Sequence, residues 1–253
     1  MNPSGNRFVR LRYYNLAMGA FHFAQGIIIL ALSSDFSLPV TAAFLDGPPG
    51  SVPPGVTELF SVRIGWAVAG FLFLSAFAHF IVASPLAFGW YKANLQRDRN
   101  YARWIEYFFS ASLMMVLIAM LPGITDVAAL LAIFFVNGAM ILFGLIMEHY
   151  ETPGRANWLT FWLGSIMGLV PWVAVGIYLW SPTTEANPPA FVYGIFFSIF
   201  IFFNVFAVNM ALQYLRVGPW RNYFFGEAFY VLLSLVAKSA LAWQVFAGTL
   251  VPE

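Results

Sequence analysis

Seven apolar stretches dominate the 253-residue sequence, and each is long enough to cross a lipid bilayer. A membrane-spanning helix needs about 20 mostly apolar residues. Only helices and closed barrels can satisfy their backbone hydrogen bonds inside a bilayer. The stretches therefore predict an all-α integral membrane protein, a bundle of seven transmembrane helices in one domain covering residues 1–253. The predicted spans are 11–33, 58–84, 100–121, 126–149, 157–180, 190–215 and 220–250.

Composition supports a chain that lies almost entirely in the membrane. Hydrophobic residues make up 61% of the sequence and charged residues only 9%, whereas a soluble domain has about 25% charged residues. The chain has no cysteine, which excludes disulfides, thiol catalysis and thiolate metal sites. The sequence has no basic run that would suggest a nucleic-acid partner. Its apolar composition makes membrane lipid the expected surrounding.

Basic residues at the ends of the spans predict the orientation of the bundle. Arg63 is the only one near the first, third or fifth connection or the C-terminal tail. Cytoplasmic ends of membrane proteins are enriched in Lys and Arg. The N-terminus is therefore predicted on the inner, cytoplasmic side of the cell membrane and the C-terminus on the outer side. The basic residues predicted on the inner side are Arg7, Arg10, Arg12, Lys92, Arg97, Arg99, Arg103, Arg155, Arg216 and Arg221.

Lys238 is the most unusual residue of the sequence, because it lies deep within the last apolar span. A charged ammonium at that depth costs several kcal/mol, so the amine must be paired or no longer free. Glu227, Ser234 and Lys238 fall at i, i+7 and i+11, on one stripe of a helix. Helical side chains point back toward the N-terminus, which brings the Lys238 nitrogen toward the depth of Glu106 in the third span.

Other interpretations of the ionisable residues remain open from the sequence. Lys238 could form a purely structural ion pair with Glu106 or Glu227. Arg103, at i−3, could pair with Glu106 instead. His22 and His79 could be hydrogen-bonded packing residues or could line a polar cavity.

Ionisable groups are distributed unevenly across the predicted membrane. Candidates inside the spans lie at the midplane or in the inner half, and the outer half has no buried carboxylate, His or Lys. Glu148, His149 and Glu151 are predicted to form a solvated end of the fourth span. A proton pump needs donor and acceptor groups on both sides of its centre, so this asymmetry disfavours a pump.

Three segments resemble one protein family. They are LRYYNLAMGAFHFAQG in the first span, RWIEYFFSASLM in the third and SLVAKSALAW in the seventh. In these segments and in its predicted orientation the sequence resembles the heliorhodopsins, retinal proteins that insert opposite to type 1 microbial rhodopsins. The resemblance implies a rhodopsin-like seven-helix bundle with a short β-hairpin in the first extracellular loop. It further implies a homodimer that senses light without pumping ions and is not an enzyme.

The resemblance also assigns roles to residues. It implies that Lys238 binds all-trans retinal as a protonated Schiff base, that Glu106 is the counterion and that Ser234 hydrogen-bonds near this pair. It places His22, His79 and Gln25 at a polar, hydrated cavity on the cytoplasmic side of the Schiff base, with Asn100 and Glu227 as further members of the inner polar network. Further residues expected at the retinal site, the last four from depth or bulk, are Tyr107, Ser110, Asn137, Met114, Trp162, Phe203 and Phe206.

Three functions are compatible with these features. The first is a photoreceptor that signals through conformational change, with an unidentified cytoplasmic partner left open. The second is a light-gated ion channel or transporter, which requires a continuous polar path. The third is an intramembrane enzyme that uses Lys238 to form an imine with its substrate.

Overall fold

The computed structural model describes residues 3–52, 55–180 and 187–251, and within them the chain is mostly helical. Its α-helices are α1 (Pro3–Leu32), α2 (Ile64–Ala83), α3 (Phe88–Leu95), α4 (Tyr101–Met120), α5 (Val127–Tyr150), α6 (Leu159–Leu179), α7 (Ala190–Tyr214) and α8 (Tyr223–Val245). Two strands, β1 (Ser37–Ala42) and β2 (Thr57–Arg63), lie between α1 and α2. A short 3₁₀ helix, Gly218–Arg221, precedes α8, and a π-helical turn, Phe246–Leu250, follows it.

Seven of the helices, all except α3, are long and apolar enough to cross a membrane. This confirms the predicted seven-helix membrane bundle. The eight-residue helix α3 lies in the connection between α2 and α4. We call the end of the bundle at which α1 begins the N-terminal side, and the other end the opposite side.

The two strands form an antiparallel hairpin on the opposite side, which confirms the expected β-hairpin. Ser37 pairs with Arg63 and Ala42 with Thr57, with one irregularity after Val40. The backbone N–H of Thr41 donates to the carbonyl of Thr125 at 2.8 Å, which attaches the hairpin to the connection between α4 and α5.

The hairpin corrects the predicted start of the second span. Residues 58–63 belong to β2, so the helix begins at Ile64 and not at 58. The segment Thr57–Arg63 contains β-branched and aromatic residues typical of strands. Hydropathy alone merged this apolar strand with the apolar helix that follows it.

The helix α4 lies at the centre of the bundle and positions the interior polar groups. It packs against α2, α5, α6 and α7. The last helix, α8, packs against α1, α2 and α7, which places Lys238 opposite the inner face of α4. The main hydrophobic core includes Phe71, Met115 and Ile118, and two smaller clusters surround Trp104 and Tyr91.

Candidate functional site

Lys238 lies in the interior of the bundle, on the face of α8 that meets α4. Its side chain is 4% exposed. The ammonium nitrogen Nζ donates to Ser234 Oγ at 2.8 Å, one turn nearer the start of α8. The side chain therefore points back along its helix, in the direction expected for a helical lysine.

Glu106 is the carboxylate that faces this lysine. Its Oε1 lies 3.1 Å from Lys238 Nζ, and the glutamate side chain is 8% exposed. The same oxygen accepts a hydrogen bond of 2.6 Å from Ser75 Oγ on α2. A desolvated ion pair is tolerated only when further hydrogen bonds satisfy its members, and the two serines provide them. The structure thus brings together Lys238, Glu106 and Ser234 as the sequence predicted.

Ser75 is a site residue that was not predicted from the sequence. It lies one helical turn before His79 on α2 and is 1% exposed. That i, i+4 relationship to a candidate histidine was the available signal. A single serine in an apolar helix is otherwise unremarkable, so its role becomes apparent only from the packing of α2 against α4.

An apolar cavity adjoins the amine. It contains about 870 Å³ of space unoccupied by protein atoms, a volume that includes the open space at its mouth. Ser234 and Lys238 provide its polar corner, and most other lining side chains are aromatic or aliphatic. These include Trp104, Tyr107, Met114, Ile141, Phe161, Phe203, Phe206, Met210 and Tyr230.

Three of the four side chains predicted from depth or bulk line the cavity, as does Tyr107, and the fourth does not. Tyr107, Met114, Phe203 and Phe206 line it. Trp162 does not, because its side chain is 62% exposed on the outer face of α6. The preceding residue, Phe161, lines the cavity in its place. Neighbouring helical residues differ by about 100° in direction, so an error of one position moved the prediction from the inner to the outer face.

A second, polar cavity lies on the other side of Glu106 and Tyr107, with about 400 Å³ of space unoccupied by protein atoms when its open side is included. Side chains from α1, α2, α3, α4 and α8 surround it, so it extends from Glu106 toward the N-terminal side. Tyr91, on α3 outside the membrane spans, has a pKa raised by burial. The polar and charged lining residues are Asn15, Ser75, Tyr91, Asn100, His79, Arg103, Glu106, Tyr107 and Ser234.

The two histidines lie next to each other at this cavity. His79 lines it, and its Nδ1 is 2.7 Å from Asn15 Oδ1. The His22 ring stacks on the His79 ring at 5.7 Å with an interplanar angle of 14°. His22 is fully buried, and neither ring nitrogen has a hydrogen-bond partner among the residues described. His22 does not itself line the cavity, and its contact is with His79, which does.

Three other predicted site residues lie outside both cavities. Gln25 accepts a hydrogen bond from Trp243 Nε1 at 3.0 Å on the outer surface of α1 and α8, so its predicted place beside the polar cavity is wrong. Asn137 donates to Ser112 Oγ at 3.2 Å between α4 and α5. Ser110 is fully buried one turn beyond Glu106, and no residue in the described part of the chain bonds its hydroxyl.

A buried charged cluster lies beyond the polar cavity, and the sequence did not predict it. Arg103 forms ion pairs with Glu148, at 2.6 Å, and with Glu227. Asn100 Nδ2 donates to Glu227 at 2.7 Å and Trp104 Nε1 to Glu148 at 2.6 Å. We call Arg103, Glu148 and Glu227 the buried triad.

The buried triad decides one alternative that the sequence left open and corrects one expectation. Arg103 does not pair with Glu106, because its guanidinium points to α5 and α8 instead. Glu148 is 6% exposed and is not part of a solvated helix end. Its partner lies 45 residues earlier in the chain, which no local pattern reveals.

Among the residues that the structure describes (3–52, 55–180 and 187–251), the buried ionisable groups lie in one half of the bundle. His22, Arg103, Glu148, Glu227 and Lys238 are the ionisable residues among the buried polar ones. Glu106 and His79 are their partly buried neighbours, and all lie at the level of Lys238 or nearer the N-terminal side. On the opposite side the interior contains neutral polar pairs such as Ser198 with Gln244 at 3.1 Å.

These features define a class of protein: a seven-helix membrane protein of the microbial rhodopsin fold with an interior lysine beside an apolar cavity. The crystal structure of Exiguobacterium sibiricum rhodopsin matches with a TM-score of 0.61 at 14% sequence identity, over 94% of this chain and 95% of that chain. The model of the heliorhodopsin family matches residues 11–250, and the chain belongs to this family. No curated protein sequence matches the chain significantly.

Family membership has direct consequences for the class of function. The protein is a multi-pass membrane protein in a lipid environment, and its family supports a light-sensing rhodopsin with a retinal chromophore. The family is of the photoreceptor type and not an enzymatic one. The cavity fits such a chromophore, because it is apolar, lined by aromatic side chains and supplied with a primary amine at one corner.

Proposed function

We propose that this heliorhodopsin is a light sensor in which Lys238 binds all-trans retinal as a protonated Schiff base and Glu106 is the counterion. One observation supports this most strongly: the amine of Lys238 lies at the corner of the apolar cavity and 3.1 Å from the Glu106 carboxylate. Retinal, when bound, supplies light absorption and photoisomerisation. The other roles, which are to stabilise the positive charge and to accept the proton, belong to side chains of the protein.

Glu106 keeps a positive charge on the Lys238 nitrogen stable in an apolar surrounding. A buried cation without a compensating anion loses its charge or destabilises the fold. Ser75 holds the Glu106 oxygen at 2.6 Å, and Ser234 is 2.8 Å from the nitrogen. These two hydroxyls fix the positions of the Glu106 carboxylate and the Lys238 nitrogen. The electrostatic field of this ion pair at the apolar cavity therefore depends on α2, α4 and α8.

The polar cavity offers a place for a proton that leaves the Lys238–Glu106 pair. His79 is the imidazole that lines this cavity and can accept one, and its Nδ1 lies 2.7 Å from Asn15 Oδ1. The opposite half has neutral side chains in its interior. We therefore expect a proton to move toward the N-terminal side and return the same way, so that light drives a slow conformational cycle without ion pumping.

The N-terminal side is proposed to be the cytoplasmic one, in the cell membrane. Basic residues support this orientation, although Arg103 is buried in the triad and so contributes to packing rather than to the surface. The family resemblance further supports a homodimer. A cytoplasmic signalling partner would contact the loops on this side.

The assignment of Lys238 can be tested by reconstitution, because the chain contains only two lysines. The purified apoprotein is mixed with all-trans retinal, the absorption spectrum is recorded, and borohydride is added before peptide mass analysis. We expect a visible band and a retinyl mass on the peptide with Lys238. Lys238→Ala should lose both, whereas Lys92→Ala, on α3, should keep both. A band that survives in Lys238→Ala, or a mass on Lys92, contradicts the proposal.

A further inference from the structure

A third pocket lies on the N-terminal side, outside the cavities that adjoin Lys238. It contains about 590 Å³ of space unoccupied by protein atoms, including its opening to solvent. Its lining comes from the start of α1, the turn before α4, the loop after α5 and the connection from α7 to α8. The lining residues are Arg7, Asp98, Pro153, Gln213, Arg216, Arg221, Asn222, Tyr223 and Phe224.

Three guanidinium groups and one carboxylate converge on this basic pocket. The described part of the chain contains four ion pairs, and none of them includes Arg7, Arg216 or Arg221. These three arginines therefore have no acidic partner within 4.0 Å among the described residues. Arg221 Nε donates to the Arg216 carbonyl at 3.1 Å, which keeps the two basic residues side by side. Burial raises the pKa of the Asp98 carboxyl, and Arg216 counteracts this.

The enrichment of basic residues on cytoplasmic ends explains why arginines occur on this side. It does not explain why three of them, one from α1 and two from the connection between α7 and α8, line one recess. Like charges gathered in a concave site raise the local concentration of anions. The first turn of α8, which contributes Tyr223 and Phe224 to the lining, has no acidic residue that would oppose this potential.

We propose that the basic pocket binds a phosphate group, belonging either to a soluble phosphate compound or to the headgroup of an anionic phospholipid. Guanidinium groups form paired hydrogen bonds with phosphate oxygens. Three arginines opposed by Asp98 leave a net positive charge of about two, which is enough for a phosphate monoester dianion or for the single charge of a phospholipid diester.

The basic pocket shares one residue with the buried triad. Tyr223 lines the pocket, and its hydroxyl donates to Glu148 Oε1 at 3.1 Å. A ligand that displaces Tyr223 therefore changes the hydrogen bonding of the triad, which adjoins the polar cavity through Arg103. Phosphate occupancy and the light-driven cycle should be coupled, and this coupling, unlike binding itself, rests on the proposed photoreceptor function.

Binding is tested with inorganic pyrophosphate as the probe and the full-length protein in phosphatidylcholine nanodiscs. Isothermal titration calorimetry at constant ionic strength should show saturable binding to one site. Arg216→Gln combined with Arg221→Gln should weaken the affinity about a hundredfold, because each charge-assisted contact contributes about tenfold. The matched control is Arg97→Gln, an exposed arginine of the same surface that does not line the pocket, and it should change the affinity less than about twofold.

Asp98→Asn tests the site independently of arginine removal, since it deletes the opposing carboxylate and should strengthen binding. Absence of saturable binding to the wild type, or equal affinity in the double arginine variant, overturns the proposal. A second set of nanodiscs includes roughly one third phosphatidylglycerol, a lipid proportion rich enough to compete. Weaker pyrophosphate binding there identifies the lipid headgroup as occupant, and unchanged binding identifies a soluble phosphate compound. The apoprotein suffices, so failure of retinal binding leaves this test intact.

Discussion

Individual residues around Lys238 differ in how well periodicity locates them. Lys238 and Ser234 share one helix face, and Glu106 was placed at their depth from span lengths, so these three could be predicted. Ser75 was harder to predict, because its one signal in α2 is the i, i+4 spacing to His79, which does not show that this side of the helix faces α4. The same uncertainty in rotation about the helix axis explains why Trp162 was predicted inward while Phe161 lines the cavity.

Ser75 provides a prediction at the same scale. Ser75→Ala removes the 2.6 Å hydrogen bond to Glu106 Oε1, which leaves more of the negative charge directed at the Lys238 nitrogen. Stronger stabilisation of the positive ground state should move the visible band of the retinal-bound protein to shorter wavelength. The energy involved is about 1–3 kcal/mol, as for a hydrogen bond to a charged group. The absorption spectrum measures this directly.

The control for this change is Ser33→Ala, which removes a hydroxyl that bonds the Ile29 carbonyl at the far end of α1. Its visible band should stay in place. If Ser75→Ala shifts the band no more than Ser33→Ala does, the hydroxyl of Ser75 does not act on the counterion.

Helices and strands follow from the sequence where hydropathy changes sharply, and not where it changes gradually. The seven spans were predictable because polar and Pro-Gly segments separate them. The boundary at Ile64 was not, since the apolar residues Leu59, Phe60 and Val62 of β2 lie directly before the apolar start of α2. Pairing between helices is harder still, because Arg103 of α4 meets Glu148 of α5 and Glu227 of α8 only after the bundle has formed.

The buried triad gives a prediction about how these elements are held together. Arg103→Gln leaves two carboxylates buried without a cation, so the variant should be destabilised by about 3–5 kcal/mol. Arg97→Gln, at an exposed position in the connection before α4, should change stability by less than about 0.5 kcal/mol. Thermal unfolding of both variants in the same detergent provides the comparison. Equal unfolding temperatures would falsify the structural role of the triad.

The whole molecule has a sidedness that the positions of basic residues predict and that an accessibility experiment can test. The chain has no cysteine, so single cysteines report their own exposure. Val52→Cys lies in the hairpin connection at a position that is 87% exposed, and Gln96→Cys lies at an exposed position after α3. With the N-terminus inside, an impermeant maleimide should label Val52→Cys in intact cells. It should label Gln96→Cys only after the cells are lysed. The reverse pattern means that the N-terminus is outside.

The distribution of ionisable groups across the whole bundle leads to a prediction about transport. A pump must release the proton of the Lys238–Glu106 pair to an acceptor on one side and take a new proton from a donor on the other, and the described interior offers ionisable groups only toward the N-terminal side. Neutral pairs such as Ser198 and Gln244 can hydrogen-bond a proton carrier but do not hold a proton at neutral pH.

Illumination of unbuffered cell suspensions should therefore cause no lasting pH change, with or without a protonophore, while a difference spectrum recorded on the same sample shows that the pigment responds to light. Voltage-clamped cells should likewise show no light-dependent current. A sustained current would favour the channel or transporter function and would require a hydrated path past Ser198 that side-chain motion opens.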